Sequence, residues 1–278
     1  GRETGEAMTA AEGLNGISFT GSVATGKAIA RSCIERGLRY QLEMGGKNPV
    51  IVLEDANLDR AVELTVQGAM KSAGEKCTAT SRVIVIESIA DEFTRRLVAR
   101  IKQLKTGPGT DAAFYLGPLI SAAARDKALR YIAGAVKDGA VLLTGGEISG
   151  RDDLADGHYL APALLDNVRP EMAIAQEEVF GPVLAILRVP DFDAAIRAAN
   201  DVAFGLSASV FTRNLDKAMR FAREVEAGLV RINGETAGVE PQAPFGGMKN
   251  SSSFSREQGQ AAKDFYTQVK TISIDRAD

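Results

Sequence analysis

Two hydrophobic periods interleave along this chain, and that pattern constrains the fold more than any other feature. Short apolar runs rich in β-branched residues occupy residues 49–53, 82–86, 183–189 and 207–211. Between them lie longer stretches with apolar residues at spacings of three and four. Phe93, Leu97, Val98, Ile101 and Leu104 form one such stripe. The first pattern is that of buried strands, the second that of helices packed by one face. A helix between two strands carries the chain back to the same end of a sheet, so successive strands lie parallel. The expectation is an α/β fold with a largely parallel sheet. Further strands are expected at 17–20, 40–44, 140–143, 159–165, 228–232 and 271–274. Helices are expected from the glycine turn at 21–26 to about 35, and at 55–73, 121–137, 192–200, 215–226 and 258–266. Either Asp55 or Asn57 suits the N-cap of the 55–73 helix.

Composition narrows the function. Of 278 residues, 45% are apolar and 25% charged, which is enough to bury a sizeable core. A net charge of −3 argues against nucleic acid or an anionic membrane as partner. No apolar run approaches the roughly 18 residues of a membrane helix. The first thirteen residues are small and polar, unlike a signal peptide. Two cysteines, Cys33 and Cys77, are too few for a disulfide framework, so a reducing, cytoplasmic compartment is expected. His158 is the sole histidine, which excludes a multi-imidazole zinc site, and no metal is expected.

Five segments carry residues suited to chemistry. Phe19-Thr20-Gly21-Ser22 ends a strand and opens a helix. Such a helix start is either an ordinary turn or an anion site built from free backbone N–H groups. Glu43-Met44-Gly45-Gly46-Lys47-Asn48-Pro49 sets a carboxylate beside two glycines, either as a solvated turn or as an approach for another backbone. Gly74-Glu75-Lys76-Cys77-Thr78-Ala79-Thr80-Ser81 places a thiol in a small polar loop. There a Lys76 charge or a backbone dipole would raise the thiolate fraction. Cys33, inside a helix with Ile29, Ala30 and Ile34, reads as a small core residue. Glu177-Glu178-Val179-Phe180-Gly181-Pro182 and Pro244-Phe245-Gly246-Gly247-Met248-Lys249 are each compatible with plain loops. Ser251-Ser252-Ser253 reads as a short polar loop.

Taken in this order and spacing, the five segments resemble the aldehyde dehydrogenase superfamily, over nearly the whole chain. The Cys77 run and the run Met248-Lys249-Asn250-Ser251-Ser252-Ser253 are most similar to its α-ketoglutaric semialdehyde (2,5-dioxopentanoate) dehydrogenases. The resemblance implies NAD(P)-dependent oxidation of an aldehyde to an acid, with a small-molecule aldehyde such as 2,5-dioxopentanoate yielding 2-oxoglutarate. It implies Cys77 as nucleophile and Glu43 as general base, through a thiohemiacetal and a thioester. Gly21 and Ser22 would touch the cofactor pyrophosphate, Glu178 its nicotinamide ribose, and Phe180 would pack beside the nicotinamide. Phe245 would line the aldehyde tunnel. The cofactor is NAD or NADP.

The resemblance also implies a domain order. Residues 1–45 would be the second part of a Rossmann-like cofactor domain and 46–255 the catalytic domain. Residues 256–278 would form a C-terminal return and oligomerisation arm, giving a homodimer or homotetramer. Two departures stand out. Glu75 occupies a place where the family usually has glutamine, and its charge would oppose thiolate formation if close. Family chains also carry a long segment before the match, so a truncated and inactive chain is expected. Two other readings stay open: a coenzyme A-acylating enzyme, which would not need Glu43, and a folded, oligomerising domain without chemistry.

Overall fold

The computed structural model describes residues 1–147 and 157–278. Helix α1 (Arg2–Ala10) precedes β1 (Gly16–Thr20), α2 (Val23–Glu35) and β2 (Arg39–Glu43). Then come β3 (Asn48–Val52), α3 (Leu58–Met70), β4 (Thr80–Ile86), α4 (Glu87–Ile101), α5 (Ala122–Lys137), β5 (Val141–Thr144) and β6 (Ala163–Asp166). They are followed by α6 (Ala173–Gln176), β7 (Val183–Val189), α7 (Phe192–Asn200), β8 (Phe204–Gly205), β9 (Ser207–Phe211), α8 (Leu215–Glu224) and β10 (Leu229–Ile232). The last elements are β11 (Met248–Lys249) and α9 (Ala261–Tyr266).

Seven strands form one sheet in the order β10-β9-β3-β4-β7-β6-β5. Every pairing in it is parallel except β5 with β6. The expected mixed α/β architecture with a mostly parallel sheet is therefore observed. Its central strands are apolar on both faces, as a sheet covered by helices on each side requires. Ile51, Leu53, Ile84 and Ile86 point into one core, with Phe192, Ile196 and Phe221. Val50, Val52, Val83 and Val85 point into the other, with Val66, Phe93 and Leu97 of α3 and α4. β1 and β2 form a separate parallel pair, bridged by α2, and Ile29, Cys33, Leu42 and Met44 pack between them. β8 and β11 make a short antiparallel pair.

Side-chain caps fix the starts of α2, α3, α5, α7 and α8. Ser22, Asn57, Ser121, Asp191 and Asn214 each accept a backbone N–H from the first turn of their helix. Asn57, not Asp55, caps α3; the Asp55 carboxylate instead accepts from Thr212 Oγ1 and the Arg213 N–H.

The structure corrects four expectations. The helix expected over 55–73 stops at Met70, because Ser72, Ala73 and Gly74 take left-handed backbone angles with φ of 55°, 52° and 69°. The strand expected over 159–165 begins only at Ala163, since Pro162 has no N–H for the ladder. Residues 2–10, read as a polar segment, form α1, which buries none of its residues. The strand expected at 271–274 does not form: the chain after Tyr266 pairs with no strand among the described residues, and a strand exists only through its ladder. Val269, Ile272 and Ile274 are exposed there. Among the described residues no helix is long and apolar enough to cross a membrane.

Candidate active site

The link between β2 and β3, residues 43–48, is the hub on which the sequence motifs meet. Glu43 ends β2 and is buried, 1% exposed. Its backbone carbonyl accepts the Gly21 N–H at 3.0 Å, which ties the glycine turn ahead of α2 to the same point. Gly45 and Gly46 follow. A side chain at Gly45 would collide with the Glu178 carboxylate, and one at Gly46 would lie 2.7 Å from the Cys77 carbonyl oxygen. These two positions therefore require glycine for close approach. The Gly46 N–H donates to Glu178 Oε1 at 2.9 Å, and Lys127 Nζ donates to the Glu178 carbonyl at 2.8 Å.

Asn48 is the residue whose position-specific work the motif reading missed. Its Nδ2 donates to the carbonyls of Cys77 (2.8 Å) and Ala79 (2.9 Å), and its Oδ1 accepts the Ser207 N–H (3.0 Å). One buried amide thus pins the thiol loop to β3 and β9. Thr236 Oγ1 donates to the Thr78 carbonyl and so accepts from Thr80 Oγ1, both at 2.8 Å. Arg82, also buried, donates from Nε to the Lys47 carbonyl and from its terminal nitrogens to the carbonyls of Ala198 and Ala199. It thereby caps the C-terminal end of α7, where a cation is favoured. No local spacing marks these partners, which lie up to 159 positions apart.

The thiol loop reaches the hub through the left-handed turn at Ser72–Gly74. A side chain at Gly74 would run into the Gly181 carbonyl, so the turn is braced against the segment that carries Glu178 and Phe180. Phe180 has a φ of 60° and is 40% exposed. Phe245 is buried, and its backbone exchanges two hydrogen bonds with Glu257. Ser22 and Gly21 are exposed at the start of α2, where Ser22 Oγ accepts the Thr25 N–H at 3.2 Å. Cys33 lies fully buried on the inner face of α2, packed with Ile29, Leu42 and Met44.

Electrostatics at the hub disfavour charge. Burial pushes the Glu43 carboxyl up to about 8; Glu257 adds to the shift, while a hydrogen bond from Ser252 and the Arg256 charge oppose it. Burial also raises the Cys77 thiol, as do the Glu178 and Glu43 carboxylates, against which the Thr78 and Cys77 backbone N–H groups act. Of the two supports expected for a thiolate, the backbone N–H groups act on Cys77. The Glu75 carboxylate turns to the Ile120 N–H at 3.1 Å. Burial lowers the Lys47 ammonium to about 7, helped by the Arg82 charge. No cluster of three metal-ligating side chains exists among the described residues.

Cys77, Glu43 and Glu178 thus converge where β2 ends and where β3 and β4 begin. The chain belongs to the aldehyde dehydrogenase family, whose sequence model matches residues 1–272. The chain is 50% identical over 274 residues to the alpha-ketoglutaric semialdehyde dehydrogenase of Bacillus subtilis (strain 168), covering 99% of this chain and 56% of that one. It is 44% identical over 273 residues to the alpha-ketoglutarate semialdehyde dehydrogenase of Haloferax volcanii, covering 98% and 56%. A crystal structure of betaine aldehyde dehydrogenase from Staphylococcus aureus, in complex with NAD+, superposes with a TM-score of 0.90 at 38% identity, over 94% of this chain and 52% of that one. The chain spans about half the length of these relatives.

Proposed function

We propose that a protein carrying this chain oxidises a small semialdehyde, such as 2,5-dioxopentanoate, to the acid, with Cys77 as nucleophile and Glu43 as general base. The observation that carries this reading is the convergence of Cys77, Glu43 and Glu178 on residues 43–48. A thiolate at Cys77 attacks the aldehyde carbon and forms a thiohemiacetal, which becomes a thioester once hydride has left. Glu43 takes a proton from water as that water attacks the thioester carbon; the C–S bond breaks, the acid departs and Cys77 is regenerated. The Cys77 backbone N–H is offered as one donor to the oxyanion. Phe245 lines the approach of the aldehyde.

The residues present suit a nicotinamide dinucleotide. β1, α2 and β2 form a βαβ unit whose helix start, with Gly21 and Ser22, is exposed at the strand end, the arrangement that favours a pyrophosphate. In this reading Glu178 holds the nicotinamide ribose and Phe180 packs beside the nicotinamide ring. Bound NAD(P) would supply the hydride acceptor, and the NAD+ complex of the Staphylococcus aureus relative favours NAD. In this reading residues 1–45 belong to the cofactor domain, 46–255 to the catalytic domain and 256–278 to an arm that joins subunits into a dimer or tetramer. The cytoplasm suits the two unpaired thiols. Absorbance of reduced cofactor during incubation with 2,5-dioxopentanoate, with and without coenzyme A, tests the reading. Acid formation independent of coenzyme A is expected. A coenzyme A requirement would favour acyl transfer, and no turnover in a full-length protein would favour a non-catalytic role.

A further inference from the structure

Each serine of the Ser251-Ser252-Ser253 run has a different partner. Ser251 Oγ accepts the Gly205 N–H at 3.0 Å, and Ser253 Oγ accepts the Leu42 N–H at 2.9 Å. The Met44 N–H donates to the Ser251 carbonyl at 2.7 Å and the Ser253 N–H to the Leu42 carbonyl at 2.9 Å. These bonds strap the run antiparallel to the end of β2 and set Ser252 opposite Glu43. Ser252 Oγ accepts the Gly247 N–H at 2.6 Å, and Glu43 Oε2 lies 2.5 Å from the same oxygen. A backbone N–H only donates and an ionised carboxylate only accepts, so once Glu43 is the carboxylate the one hydrogen of Ser252 goes to its Oε2. The other carboxylate oxygen, Oε1, is buried without a hydrogen-bond partner among the described residues. It faces Gly246, where an added side chain would come within 2.8 Å of it.

We propose that Ser252 is the positioning residue of the general base: it tethers Glu43 by Oε2 and leaves Oε1 as the oxygen that takes the proton from the hydrolytic water. The proposal rests on reading Glu43 as that base. Three ionisable groups face Glu43 from neighbouring segments: Glu257 and Arg256 beyond the strap, and Cys77 on its loop. A hydroxyl donated to a carboxylate stabilises the charged form. Losing it therefore raises the pH at which Glu43 becomes a base.

The test uses Ser252→Ala and Ser252→Thr in the full-length protein. Alanine is expected to move the rising limb of the kcat–pH profile upward by about one unit, the worth of a hydrogen bond to a charged group. Turnover at pH 7 then drops about tenfold while the first hydride transfer is kept. Threonine retains the hydroxyl and restores the parental profile. The infrared carboxyl band that disappears in Glu43→Gln gives a readout independent of turnover, and it should titrate with the same upward shift in Ser252→Ala. An unmoved band in folded Ser252→Ala overturns the proposal. A moved band in a full-length protein that oxidises no aldehyde refutes the dehydrogenase reading, and with it the catalytic role of Ser252. Should alanine unsettle the strap, Ser252→Cys, a weaker donor of similar size, must shift the band in the same direction by less; no shift there also overturns the proposal.

Discussion

Glu43 is held in a place that costs stability and suits catalysis. An exposed glutamate ionises near 4.3, and burial moves this one to about 8. The folded chain therefore keeps a proton that the unfolded chain releases between those values. With more protons bound to the folded state, stability falls as pH rises through that window. Glu43→Gln cannot ionise, so its melting temperature should gain on the parent from pH 5 to pH 8 and no further above. Thermal unfolding at several pH values checks this, and a difference that does not vary with pH would contradict the burial argument. The same shift carries over to rate. Only the carboxylate can take a proton, so turnover limited by thioester hydrolysis should rise with pH around a midpoint near 8. A flat profile between pH 6 and 9 would speak against Glu43 as the base.

Among the elements, the segment from β2 through β3 to the thiol loop does most to build the site. Asn48 illustrates why. Replacing it by alanine leaves the Cys77 and Ala79 carbonyls and the Ser207 N–H without their partner. Each orphaned buried group costs about 1–3 kcal/mol. With three such groups, Asn48→Ala should lower stability by at least about 3 kcal/mol in urea unfolding and slow alkylation of Cys77 by iodoacetamide. A loss below 1 kcal/mol with unchanged alkylation would show that the clamp is dispensable. Legibility of the elements in sequence follows the range of the forces involved. Val183–Val189, Ser207–Phe211 and Phe192–Asn200 form as read, because burial stamps its period on neighbouring residues. The left-handed turn at Ser72–Gly74 escapes such a reading. Serine and alanine carry no preference for that conformation, which costs roughly 1–2 kcal/mol per residue, and its brace is the distant Gly181 carbonyl. Ser251–Ser253 looks like any polar loop until β2 is laid beside it. The motifs named the nucleophile and base candidates, whereas the side chains that hold them, Asn48, Thr236 and Ser252, depend on contacts across the fold.

At the scale of the whole molecule, the tail and the chemistry make separate claims. Val269, Ile272 and Ile274 are exposed on a segment that pairs with no strand among the described residues, while its apolar–polar alternation is that of a strand. Pairing with a second subunit would satisfy both features, so deletion of residues 269–278 should shift a dimer or tetramer toward monomer in light scattering. An unchanged discrete oligomer would remove the arm from the interface. The central claim is that Cys77 is acylated and Glu43 releases the product, and rapid-mixing kinetics on the full-length protein with 2,5-dioxopentanoate test it most directly. Glu43→Gln should give a burst of reduced cofactor close to one per subunit, followed by turnover slowed at least tenfold, and Cys77→Ala should give neither. Normal steady-state turnover in either variant, or loss of the burst in Glu43→Gln, would contradict it.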